Sequence, residues 1–261
     1  MHFSRAIVRT PCDNFADGLT TVDFGVPALD QVLAQHAAYC QALEGLGLSL
    51  TWLPADPAFP DSTFVEDAAV LTPHAAMLTR PGAASRLGEV SAIAPTVRSF
   101  YPDAAQITAP GTLDGGDICE AGTHFFLGVS LRTNPEGANQ LAHHLAAQGY
   151  TSSVIDIRHM TSILHLKSGI AFIGDNTLVV MEEMAADPQF ASQFAGYRII
   201  VVPQAISYAA NCVRVNDRVL VAQGYPTFER QLTDAGFHPL ALDMSEFRKM
   251  DGGLSCLSLR F

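Results

Sequence analysis

The sequence predicts an α/β fold, on three observations. Short β-branched runs such as Ile199-Ile200-Val201-Val202 alternate with stretches at helical spacing. Hairpin-like strand pairs recur behind small polar clusters. Those clusters repeat with a nearly constant period.

Ile7-Val8 begins a strand, and residues 27–46 read as a helix, with Leu29, Val32, Leu33, His36, Ala37, Cys40 and Leu43 at steps of three and four. Leu48 to Leu53 alternates with period two and reads as a strand ending at Pro54. Further strands are expected at 64–71, 75–79, 124–129, 170–174, 177–181, 199–202, 213–215, 218–222 and 254–260. Helices are expected at 83–100, 134–148, 226–235 and 244–249, the second with Asn134 as N-cap and Pro135 in the first turn. No Ser/Gly-rich or Pro-rich linker divides the chain, so residues 1–261 read as one domain.

The repeat is the strongest signal in the pattern. Glu66-Asp67, Asp114-Gly115-Gly116-Asp117, His165-Leu166-Lys167-Ser168, Ala209-Ala210-Asn211 and Asp251-Gly252-Gly253 each precede an apolar strand pair. The steps between 66, 114, 165, 209 and 251 are 48, 51, 44 and 42 residues, each long enough for a strand, a hairpin and a helix. Five such units closing in a ring would make a propeller-like barrel. An open α/β sheet with similar loops fits the same period.

Fifteen basic against 26 acidic residues give a formal charge of −11, which repels phosphates and anionic lipid and favours a cationic small molecule. No run approaches the roughly 18 apolar residues of a membrane span, and the N-terminal segment has no apolar leader core. Five cysteines without CxxC spacing suit a reducing cytoplasm and make no recognisable zinc motif. P-loop, dinucleotide, zincin and nucleophile-elbow signatures are also missing.

In a ring, equivalent positions of successive units converge on the axis. That would assemble Glu66, Asp67, Asp114, His165 and Cys256. A thiol, an imidazole and a carboxylate form an activated-nucleophile set, in which the imidazole stabilises thiolate and the carboxylate fixes its tautomer. The extra carboxylates call for a cationic substrate. Each residue also has an ordinary reading. Cys256 beside Leu254 and Leu257 suits a core thiol, His165 between Leu164 and Leu166 a core histidine, and Asp114-Gly115-Gly116-Asp117 a turn with positive φ.

At these residues the chain resembles the dimethylarginine dimethylaminohydrolase family of the guanidine-modifying, pentein-fold superfamily. The matching segments run in order along the whole chain. They include Asp61-Ser62-Thr63-Phe64-Val65-Glu66-Asp67, Leu113-Asp114-Gly115-Gly116-Asp117, Gly128-Val129-Ser130-Leu131-Arg132-Thr133-Asn134, Leu164-His165-Leu166-Lys167-Ser168 and Asp251-Gly252-Gly253-Leu254-Ser255-Cys256. The resemblance implies a five-bladed ββαβ pentein barrel, an α/β propeller with pseudo-fivefold symmetry. It implies Cys256 as nucleophile, His165 as general acid and base, and Asp114 as the carboxylate paired with that histidine, where some relatives have Glu. It implies Glu66 and Asp67 at the substrate guanidinium, Asp61 near the α-amino group, and Arg86 and Arg132 at the α-carboxylate. Leu19 falls in a lid loop that contributes a backbone contact. The expected partner is a cationic amino acid, without metal or organic cofactor, nucleic acid or membrane, and a homodimer is compatible with the family. Competing readings are an arginine deiminase acting on free arginine, a non-catalytic Cys/His site for zinc or redox sensing, and a barrel serving only as an interaction module.

Overall fold

The computed structural model describes residues 2–261, and among them five three-stranded sheets share one pattern. β1 (Arg5–Arg9) and β2 (Ser49–Leu53) run parallel, joined by α1 (Leu29–Gly45). In the next sheet β3 (Ala69–Leu71) and β4 (Ala76–Leu78) form a hairpin, and α2 (Glu89–Phe100) crosses over to the parallel β5 (Ala105–Gln106). β6 (Ile118–Ala121), β7 (His124–Val129), α3 (Pro135–Ala147) and β8 (Thr151–Asp156) repeat this order. So do β9 (Ile170–Phe172), β10 (Thr177–Met181), α4 (Glu182–Ala186), α5 (Pro188–Ala191) and β11 (Arg198–Val202). The fourth repeat is β12 (Val213–Val215), β13 (Arg218–Ala222), α6 (Pro226–Asp234) and β14 (Pro239–Leu242). A short α7 (Ser245–Arg248) leads to β15 (Leu259–Arg260), which pairs antiparallel with β1, Ala6 opposite Arg260. Each parallel pair needs a crossover, and a helix supplies it.

The pairing of β15 with β1 makes the fifth ββαβ unit out of the two ends of the chain. Residues from β3, β6, β9, β12 and β15 line one common cavity. The first strands of all five sheets therefore face a single axis, which selects the ring over the open sheet.

Apolar side chains of the helices pack on the outer face of each blade. Val32, Tyr39, Cys40 and Leu43 of α1 are buried in a core that includes Ala6 and Val8 of β1 and Leu220 of β13. The Tyr39 hydroxyl meets Ser258 Oγ at 2.6 Å, tying the first helix to the last strand. α3 begins as its sequence predicts, with Asn134 Oδ1 accepting the Gly137 N–H at 2.8 Å and Pro135 in the first turn.

Two expected strands are shorter than the apolar runs suggest. Residues 65–68 and 254–257 are 3-10 turns, and only 69–71 and 259–260 are extended. Val65, Glu66, Asp67 and Ala68 are all buried, and a two-faced strand would not bury four successive side chains on one wall. The expected helix at 83–100 divides into a 3-10 turn at 84–86 and α2. β5, β8 and β14 lack a clear alternating signal; β14 is half-buried at every position.

Candidate active site

Five 3-10 turns precede the five first strands: 65–68, 115–117, 166–168, 204–210 and 254–257. They carry or adjoin the polar clusters of the repeat. The turns are linked in a closed circuit. Gly116 N–H donates to Asp67 Oδ1 at 2.8 Å, joining the first and second turns. The second and third are joined by Leu166 N–H to Asp117 Oδ1 at 3.0 Å and by His165 Nε2 with Asp114 Oδ2 at 3.0 Å. Asn211 Nδ2 donates to Lys167 O at 3.2 Å, and Asn211 Oδ1 accepts the Ser255 N–H at 3.0 Å. Ser255 Oγ donates to Glu66 Oε2 at 2.8 Å, which returns the circuit to the first turn.

This circuit demands very close backbone approach at the second turn. A Cβ on Gly116 would stand 2.7 Å from His165 Nδ1, and one on Gly115 would stand 2.0 Å from Glu66 O. Neither glycine has positive φ, so the space, and not turn conformation, requires them.

Asp61, Glu66, Asp67, Arg86, Asp114 and His165 are buried, and Cys256 is half-buried in the last turn. Burial pushes His165 down, but Asp67, Asp117 and the hydrogen-bonded Asp114 outweigh it and raise the imidazole to about 9. Burial pushes Asp67 up, and His165 and Arg86 overcome that and bring it to about 2. The Cys256 thiol is pushed up to about 12 by burial, then by Glu66 and Asp67. The imidazole is therefore cationic at neutral pH and the thiol holds its proton. The expected imidazole-stabilised thiolate is not formed in this state. His165 is paired with carboxylates instead, and no His165–Cys256 hydrogen bond occurs among the described residues.

The remaining expected residues form the rim. Asp61 accepts the Leu19 N–H at 3.0 and 3.2 Å, closing the segment after Asp17 over the site. That segment is also tied down by Thr20 Oγ1 to Lys249 O at 3.0 Å and by Thr21 Oγ1 to the Asp251 carboxylate at 3.0 Å. Burial raises Asp61, against the pull of Arg86, the Leu19 N–H and Arg132. The two expected arginines differ. Arg86 is buried and committed: Nη1 to Asp67 at 2.6 Å, Nε and Nη2 to Glu89 at 2.9 and 2.8 Å. One N–H of Nη1 remains without a partner among the described residues. Arg132 is half-buried, and its guanidinium has no side-chain partner among them.

Asp67, Asp114 and His165 form a buried group with one ligand atom each within 4.8 Å of one another. Its carboxylates already receive Arg86, Gly116, Gly82 and His165. Cys256 is not in that group. The arrangement suits a planar cation held by carboxylates, with a thiol and a proton-bearing imidazole beside it.

The residue reading passed over Asp117, Lys167, Asn211 and Ser255. Asp117 Oδ2 accepts the hydroxyls of Ser130 and Thr133 at 2.7 and 2.6 Å, and Lys167 Nζ lies 2.6 Å from Glu66 Oε1. Asp117, Lys167 and Asn211 stand in the repeated clusters, so the period was the signal that could have found them; Ser255, two residues beyond Asp251-Gly252-Gly253, carried no such signal.

A family model described as arginine deiminase matches residues 95–198. The N(G),N(G)-dimethylarginine dimethylaminohydrolase of Pseudomonas aeruginosa is 44% identical over 260 residues, 99% of this chain and 100% of the relative. That of Streptomyces coelicolor is 33% identical over 268 residues, 100% of this chain and 98% of its own length. A cysteine-to-serine mutant of the Pseudomonas aeruginosa enzyme, complexed with citrulline, superimposes with a TM-score of 0.94 at 43% identity over 100% of both chains. This similarity spans the five blades and every turn of the circuit, and the chain belongs to the dimethylarginine dimethylaminohydrolase family.

Proposed function

We propose that this chain hydrolyses N-omega-methylated arginines to citrulline and dimethylamine or methylamine, with residues 1–261 acting as one catalytic domain. The reading is carried by the convergence of a thiol, a carboxylate-paired imidazolium and two buried carboxylates on one circuit of turns. Glu66 and Asp67 hold the substrate guanidinium planar. Arg132, with the remaining N–H of Arg86, takes its α-carboxylate, and Asp61 and the Leu19 backbone lie at the α-amino end.

The electrostatics supply the order of events. Burial, reinforced by the negative field of Glu66 and Asp67, keeps the thiol protonated before substrate binds. A bound guanidinium neutralises that field, so the thiol releases its proton to solvent when substrate is present. Cys256 sulfur then forms a bond to the guanidinium carbon. His165, already cationic, gives a proton to the alkylated nitrogen, the C–N bond breaks and the amine leaves. Neutral His165 next takes a proton from water, which attacks the thiouronium carbon. The C–S bond breaks, the hydroxyl proton of the departing product returns to sulfur, and citrulline leaves with imidazolium and thiol restored. The lid over Asp61 limits water during the first half-reaction.

The partner is a small cationic amino acid, and a formal charge of −11 disfavours nucleic acid. No helix among the described residues is long and apolar enough to cross a membrane. We assign the activity to the cytoplasm, where a reducing milieu keeps the five free cysteines as thiols, and a homodimer is compatible with the exposed outer helices. The deciding experiment offers purified protein asymmetric dimethylarginine and free arginine separately and measures citrulline. Citrulline from dimethylarginine supports the proposal. Citrulline from arginine alone overturns it in favour of deimination.

A further inference from the structure

The first strands enclose a cavity of about 240 Å³ on the barrel axis. Glu66 and Ser255 line it; Cys256, His165, Asp67 and Asp114 do not. The Glu66 carboxylate thus stands on the boundary between this cavity and the reactive groups. Lys167 reaches it from the cavity side, with Nζ 2.6 Å from Oε1 and a half-buried side chain. Arg260 is the other cation nearby, but its Nη2 is 3.8 Å from Oε1, and its Nη1 is spent on Ser258. Lys167 is therefore the one cation in hydrogen-bond contact with Glu66 among the described residues. Glu120, Asp175 and Arg214 also line the cavity, and Arg214 bonds Asp175 and the Ile173 carbonyl.

A carboxylate as buried as Glu66 needs a partner for each of its oxygens. Its other oxygen receives only the neutral Ser255 hydroxyl. We infer that Lys167 is a positioning residue for the reaction, holding Glu66 aimed at the substrate guanidinium from outside the active site. Truncating Lys167 would open, beside the axial cavity, a space that fits a small primary ammonium ion. The inference rests on Glu66 as a guanidinium-binding carboxylate under the function proposed above.

The test compares wild type with Lys167→Met, Lys167→Arg and Lys167→Ala. Wild-type citrulline formation from dimethylarginine is measured first, so failure of the functional reading shows there, before any variant is compared. Lys167→Met leaves Glu66 without its cation, and kcat/KM is expected to fall by about tenfold or more, mainly through KM. Lys167→Arg restores most of it. In Lys167→Ala, the deleted atoms correspond to propylammonium, which can enter from the cavity. Added propylammonium raises kcat/KM of that variant saturably, while 1-propanol, of similar shape and no charge, does not. Wild type and Lys167→Met gain nothing from the amine, since the space is filled. A Lys167→Met variant with wild-type kcat/KM overturns the inference. So does a Lys167→Ala variant rescued equally by alcohol, or by neither compound.

Discussion

Replacing Asp117 with Asn tests whether the turn circuit is held by charge. Asp117 is fully buried, and its carboxylate accepts Leu166 N–H at 3.0 Å and the Ser130 and Thr133 hydroxyls at 2.7 and 2.6 Å. Those hydroxyl oxygens are already accepting: Ser130 Oγ from the N–H of Arg132 and of Thr133, Thr133 Oγ1 from the N–H of Asp114. An amide NH2 turned toward them meets oxygens whose lone pairs are largely taken; turned the other way, it faces the Leu166 N–H. Either orientation forfeits one or two bonds to a charged acceptor, at about 1.5–3 kcal/mol each. The neutral amide's easier burial offsets part of this, leaving a net destabilisation of about 3 kcal/mol. Urea titration of wild type and variant at pH 7 reads it as a lower midpoint at unchanged slope. A variant within about 0.5 kcal/mol of wild type, the range of an ordinary surface change, would refute the reasoning. The same substitution has a pH signature. His165 is raised from 6.5 to about 9. Its contribution to stability is thus fully present below pH 6.5 and lost as pH rises through 9. Asp67, Asp114 and Asp117 are the charges that face it, so removing one moves this loss, and the alkaline limb of kcat/KM, to lower pH.

Two further outcomes follow from the site. Glu66→Gln removes a carboxylate that, together with burial, keeps Cys256 protonated, so a neutral alkylating reagent should modify Cys256 faster than in wild type at pH 8, while turnover of dimethylarginine falls by about a hundredfold or more through loss of a buried charge pair; slower alkylation would contradict the field assigned to Glu66. Gly116→Ala places a methyl 2.7 Å from His165 Nδ1 and 2.9 Å from Asp67 Oδ1, and the displaced imidazole should lower kcat by about a hundredfold, checked by steady-state kinetics beside a thermal melt; unchanged kcat would mean that the turn has slack.

The ring was legible only in part, because polar clusters recur every 42 to 51 residues at or beside the turns that head the inner strands, a period an open sheet fits as well. Glu66, Asp67, Asp114, His165 and Cys256 could be grouped if the ring closed, and the family resemblance decided that. Charge state was not legible. Cys256 and His165 read as a thiolate–imidazole pair, yet three aspartates claim the imidazole and two carboxylates oppose the thiolate. Arg86 and Arg132 looked equivalent in sequence; burial and Glu89 separate them, since a neighbour three residues along α2's approach binds one guanidinium and leaves the other open. β8 and β14 escaped because their half-exposed outer positions break the apolar alternation on which strand patterns depend.

The claim at the centre of the account is a covalent bond between Cys256 and the guanidinium carbon. It is tested most directly with S-methyl-L-thiocitrulline and the His165→Gly variant, because methanethiol leaves without a general acid while hydrolysis still needs a base. Peptide mass mapping after quenching should find Cys256 heavier by the probe less methanethiol. An unmodified Cys256, or the added mass on another residue, would contradict it.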